Sequence, residues 1–152
     1  MTREELDNLF SYHAPTDETT PKYAAICDAE TACIASITQT HYEVGGDVRQ
    51  VYDEVNRTTR RMAEVIDANA PDSADKTAAI RCVRLARNLF NEWATQVATP
   101  KERRTWSAPE ILFSAAELEL CKARMQANSA IACAPAPKAA PRGDPQLAAD
   151  FK

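Results

Sequence analysis

Six arginines fall on two adjacent stretches of the chain, Arg57, Arg60 and Arg61 on the first and Arg81, Arg84 and Arg87 on the second. A guanidinium donates two parallel hydrogen bonds from a rigid fork, which matches the oxygens of a phosphate. If both stretches are helical, successive residues turn by about 100°. Arg81 and Arg84 then project away from the apolar line through Val83, Phe90 and Trp93, and Arg87 borders it. The same residues also suit a solvated face paired with Asp and Glu. A second group is the segment Phe10-Ser11-Tyr12-His13-Ala14-Pro15. There a proline-stiffened Tyr12-His13 pair offers an aromatic plate for a nucleobase, with stacking worth about 1–3 kcal/mol per base. As a plain structural element it would only cover the end of a helical bundle.

Catalytic signatures are missing. The sequence holds no G-x-x-x-x-G-K-S/T phosphate loop, no G-x-G-x-x-G turn, no H-E-x-x-H and no G-x-S-x-G elbow. Its five cysteines (Cys27, Cys33, Cys82, Cys121 and Cys133) are scattered and never spaced C-x-x-C, and only His13 and His41 could join them around a metal. They read as reduced thiols, mostly buried, in a cytosolic protein. No enzyme, cofactor or metal site is expected.

The elements that must position the arginines are helices. The 152 residues suffice for one domain with a core, and only three are glycine, which disfavours hairpin turns. The net charge of −4 gives no general attraction to DNA, RNA or an anionic membrane. The charged opening Met1–Glu5 is unlike a signal peptide, and no apolar run approaches the length of a bilayer span.

Thr2 and Glu5 predict a capping box for a short helix ending near Phe10, with a loop over 11–20 and a helix from Pro21 to about Thr40 that breaks at Gly45-Gly46. Val48, Val51, Tyr52, Val55, Met62, Val65 and Ile66 recur on an alternating three-and-four rhythm, with Thr58 and Thr59 on the same stripe. Asn69-Ala70-Pro71 ends this helix, and Asp72 or Ser73 caps the next, whose buried face is Ala79, Val83, Ala86, Phe90, Trp93 and Val97. So short a link implies an antiparallel pair. His41 reads as a surface residue compatible with a helix end, and Trp106 as a hydrophobic staple before the last helix. Ser107-Ala108-Pro109-Glu110 predicts that helix's start, with Ser107 as cap; it runs to about Ile131 with Ile111, Ala115, Leu118, Met125 and Cys121 inward. After Cys133 the chain turns rich in Ala and Pro, predicting a disordered tail over 134–152 behind a helical domain over 1–133. The expected fold is all-α: antiparallel helical hairpins forming a small bundle.

On these residues the chain resembles a family, the phage anti-CBASS and anti-Thoeris nucleotide sponges. Its members share an F-x-Y-H-x-P loop, a basic residue and Tyr opening a helix, a P-x-S turn and a closing A-x-M-x-A-N-A-x-I-A-like motif. Here these are similar to Phe10, Tyr12, His13 and Pro15; to Lys22, Tyr23 and Ile26; to Pro71 and Ser73; and to Ala123, Met125, Ala127, Asn128, Ile131 and Ala132. Ser129 stands where the pattern has Ala, and the additional helices imply an inserted or duplicated hairpin. Tyr52 marks a second helix start that fits the family as well as Tyr23 does. The resemblance implies intact binding of a cyclic oligonucleotide or a cyclic ADP-ribose isomer by a homo-oligomer in the host cytoplasm. It also implies ligand contacts from Tyr12, His13, Arg57, Arg60 and Arg61. The basic helix residue of the family falls on Arg60 from the second helix start and on Thr31 from the first. A different class of function, a helical protein-interaction or structural module without a small ligand, suits the same composition.

Overall fold

A computed structural model describes residues 1–134. From residue 135 onward the expected disordered tail lies outside the described residues. Five α-helices and one short 3-10 turn account for the regular structure, with no strand among the described residues: α1 Arg3–Phe10, α2 Thr20–Val44, α3 Val48–Asn69, α4 Ala74–Ala98 and α5 Glu110–Ala132. The chain is all-α, as composition and periodicity predict.

Helices α2 to α5 run alternately up and down. Helix α3 lies between α2 and α4, and α5 packs along α4 with a lighter contact to α2. The core is one layer of side chains drawn from all four, including Ile26, Ile37, Val55, Met62, Ile66, Val83, Phe90 and Leu120. Its aromatic end is ordered edge to face: Phe90 on Phe113 at 5.2 Å, Phe113 on Trp93 at 4.9 Å, and Trp93 on His41 at 4.8 Å between ring centroids. His41 is therefore half-buried against Trp93 rather than a surface residue, because α2 continues past Thr40 to Val44 before Gly45 ends it at φ 61. Burial pushes the Cys33 thiol up to about 11, which keeps it protonated and unreactive.

Local chemistry sets the ends of the α3/α4 hairpin. The Asn69 amide donates to Val65 O at 2.7 Å, Ala70 N–H to Ile66 O at 2.8 Å, and Pro71 stops the ladder. Ser73, not Asp72, caps α4 by accepting from Lys76 N at 3.1 Å. Asp72 instead pairs with the Lys76 ammonium at 2.9 Å, which also donates to Asp67 O at 2.9 Å, so one nearly buried lysine ties both helix ends together. At the far end of α4, Arg104 donates to Thr99 O and Val97 O, and the Gln96 side chain holds the Thr105 and Trp106 amides. The charged connector is thus fastened to the helix it leaves.

Helix α5 departs from expectation in two ways. It starts at Glu110 after a tight turn in which Ile111 and Leu112 amides bond to Ala108 O and Pro109 O; Ser107 caps nothing. Its buried line is Leu112, Ala116, Leu120, Ala123, Ala127 and Ala130, while Ile111, Leu118 and Met125 face outward and Ala115 and Cys121 are half-buried. Four alanines let the α4 and α5 backbones approach closely, and the Phe90–Trp93 side of α4 fills the space. That gain in contact outweighs burial of the larger residues on the opposite side.

Candidate anion-binding groove

The hairpin helices expose facing edges. On α3 the edge residues Asn56, Arg60 and Ala63 recur at helical spacing, and on α4 Ile80, Arg84 and Arg87 do the same. Together with Thr59 and Val83 they line an open groove of about 290 Å³. Ala63, Ile80 and Val83 supply apolar lining, and three guanidiniums supply positive charge. A second opening of about 410 Å³, lined by Asn56, Arg57, Arg60, Arg61 and Glu64, shares Asn56 and Arg60 with the first. The two therefore form a continuous basic strip over the crest of α3 and down to α4.

The guanidiniums differ in how far they are already neutralised. Arg57 is gripped by Glu54, whose Oε2 accepts from Nε at 3.0 Å and whose Oε1 takes Nη2. Glu54 also accepts from Ser36 on α2, and Arg57 holds its carboxyl below the usual carboxylate range against the opposing effect of burial. Arg60 reaches Glu64 through Nε at 3.2 Å, and Arg61 reaches the same carboxylate at 4.0 Å. With the Arg60 side chain 83% exposed, that pair contributes little stability and a phosphate can displace it at small cost. Arg84 and Arg87 have no carboxylate partner among the described residues; Arg87 donates only to the Asn88 side-chain oxygen, at 3.0 and 3.3 Å. Five guanidiniums, Arg57, Arg60, Arg61, Arg84 and Arg87, set against the carboxylates of Glu54 and Glu64 leave the strip positive in a chain whose net charge is −4.

Tyr12 and His13 sit elsewhere. His13 N–H donates to Ala132 O at 2.8 Å, which fixes the loop across the C-terminus of α5. Tyr12 is 73% exposed there and lies near half-buried Tyr23, whose phenol is raised by burial and then by the proximity of Tyr12 and Cys133. Neither Tyr12 nor His13 lines the arginine strip, so one chain does not bring the loop aromatics and Arg60 into a common cavity. Thr31 is exposed on α2.

Of the residues expected to bind ligand, Arg57, Arg60 and Arg61 share an opening. Arg84 and Arg87 complete the groove, although the resemblance points to neither. Their signal is the matched spacing on facing edges, residue 56 with 60 and 63, and residue 80 with 84 and 87. Arg81 is exposed but lines neither opening. No group of three or more His, Cys, Asp or Glu suited to a metal occurs among the described residues, and no helix there is long and apolar enough to cross a membrane. Comparison with family models, curated proteins and solved structures returns no match, so the side chains themselves define the site.

Proposed function

We propose that this chain is a non-enzymatic binding protein that holds a cyclic nucleotide second messenger intact, and that it acts as a phage counter-defence sponge in the host cytoplasm. The observation that carries the proposal is the groove between α3 and α4, where Arg84 and Arg87 are free of carboxylates among the described residues and Arg60 is only loosely paired. The ordered motifs shared with the nucleotide sponges support the choice of ligand. A cyclic oligonucleotide carries several phosphates on a ring with apolar base faces. The strip offers separated guanidiniums with Ile80 and Val83 between them, at a combined size within the range of small-molecule sites. In a homo-oligomer, Tyr12 and His13 of one copy would close over the strip of another and supply the stacking that a single chain does not.

Calorimetry with a panel of cyclic dinucleotides, cyclic trinucleotides and cyclic ADP-ribose isomers tests this. Saturable binding is expected, followed by recovery of unaltered compound when the complex is denatured by heat and chromatographed. Altered product would identify an enzyme, and silence across the whole panel would remove the proposal.

One observation favours a second function, docking to a protein partner. Helix α1 is capped at Thr2 yet buries no residue, makes no packing contact with the other helices, and exposes Leu6, Leu9 and Phe10. Capture of one stoichiometric partner, unaffected by nucleotide, would support it.

A further inference from the structure

Helices α3 and α4 meet along a seam of paired polar residues. The Tyr52 hydroxyl is hydrogen-bonded to that of Thr95. One turn on along α3 and one turn back along α4, Asn91 Nδ2 donates to Asn56 Oδ1 at 3.4 Å. The next pair in the same register is Arg60 with Arg87, and both line the groove. Two rungs in which a donor meets an acceptor thus lead to one in which two donors of like charge share an opening. A phosphate supplies the acceptor that this rung lacks.

Donors also make up the rest of the groove's polar surface. Asn56 commits its oxygen to Asn91, and its NH2 group has no partner among the described residues. Exchanging oxygen and nitrogen in both amides would put the Asn91 NH2 where its buried oxygen now lies unpartnered, leaving two unpaired donors in place of one acceptor. The buried Thr59 hydroxyl gives its proton to Val55 O at 2.6 Å. A base lying in the groove therefore meets the Asn56 amide at one end and Arg84, beside Ile80, at the other. The nearest carboxylate, Glu64, belongs to the adjoining opening and is paired with Arg60.

Resting on the nucleotide reading above, we propose that this groove selects guanine over adenine, with the Asn56 NH2 group reading the base. The major-groove edge of guanine presents two acceptors, N7 and O6, whereas the same edge of adenine carries an amino donor in place of O6. Against a wall of donors guanine gains a second hydrogen bond. The adenine amino group instead faces another N–H and gives up its water for nothing.

Cyclic di-GMP and cyclic di-AMP share one ring and the same two phosphates, so calorimetry of the full chain with each isolates the contribution of the base. The guanine compound should bind at least about 10-fold more tightly. Asn56→Asp replaces the donor with an acceptor at an exposed position, so the melting transition should be kept. Its added charge weakens both ligands alike and cancels in the ratio of their dissociation constants, which should shift at least about fivefold toward adenine. Asn56→Ala should move that ratio the same way with no change of charge. Equal affinities in the wild-type chain, or tighter binding of the adenine compound, overturn the inference and leave the groove standing as a nucleotide site. A guanine preference that survives both substitutions unchanged overturns the role of Asn56. Silence with these two compounds and with every other cyclic nucleotide removes the underlying reading as well, and so is told apart from a failure of base selection alone.

Discussion

Replacing Phe90 with alanine is expected to lower the free energy of unfolding by about 3–5 kcal/mol, the largest loss of stability from any single truncation in this chain. Phe90 has no solvent exposure and meets Phe113 edge to face, and Phe113 in turn supports Trp93 and His41. Truncation leaves a cavity where α4 meets α5, and the alanine-lined approach of those helices leaves little side chain free to refill it. Phe90→Leu keeps most of the volume and should cost less than about 2 kcal/mol. Urea titration followed by far-ultraviolet circular dichroism measures both. Equal losses for the two substitutions would mean that volume at this position does not matter.

The second large effect concerns binding. Arg84→Glu combined with Arg87→Glu should weaken nucleotide affinity by at least about 100-fold, since charge-assisted hydrogen bonds of about 1.5–3 kcal/mol each are lost and repulsion is added. Arg81→Glu makes the same change of charge on the same helix but outside the groove, and should weaken binding by less than about threefold. Calorimetry on the two variants separates a local phosphate contact from a general effect of net charge. Similar losses in both would remove the groove as the site. Arg57, held by Glu54, should matter less than Arg84 for the same reason: its guanidinium is already occupied.

Much of the fold was legible in the residues. The rhythm of Val51, Val55, Met62 and Ile66 defines the buried stripe of α3, and Pro71 with Ser73 defines its turn, because both depend on forces acting within a few residues. The face of α5 was not legible. Periodicity gives weight to large residues, and Ile111, Leu118 and Met125 share a phase as regular as that of the alanines. Which phase turns inward depends on how closely α4 can approach, a property of the partner helix. Ser107 failed as a cap for a related reason: the Ala108–Leu112 turn satisfies the first amides before the side chain is needed.

The site was legible residue by residue but not as an arrangement. Arginines were visible on both helices, yet which of them share a groove depends on how α3 and α4 are rotated about their axes, and that is set by the core. Tyr12 lay beyond reach of any local rule. Its place at the bundle end follows from a hydrogen bond between His13 and Ala132, groups more than a hundred residues apart in sequence.

Amide hydrogen exchange of the full chain, with and without a saturating cyclic nucleotide, tests the central claim most directly. Binding at the groove predicts slowed exchange along residues 56–64 of α3 and 80–87 of α4, the two edges that carry Arg60, Arg84 and Arg87. Protection confined to the Tyr12–Thr19 loop and the first turns of α2, with both hairpin edges unchanged, would contradict it.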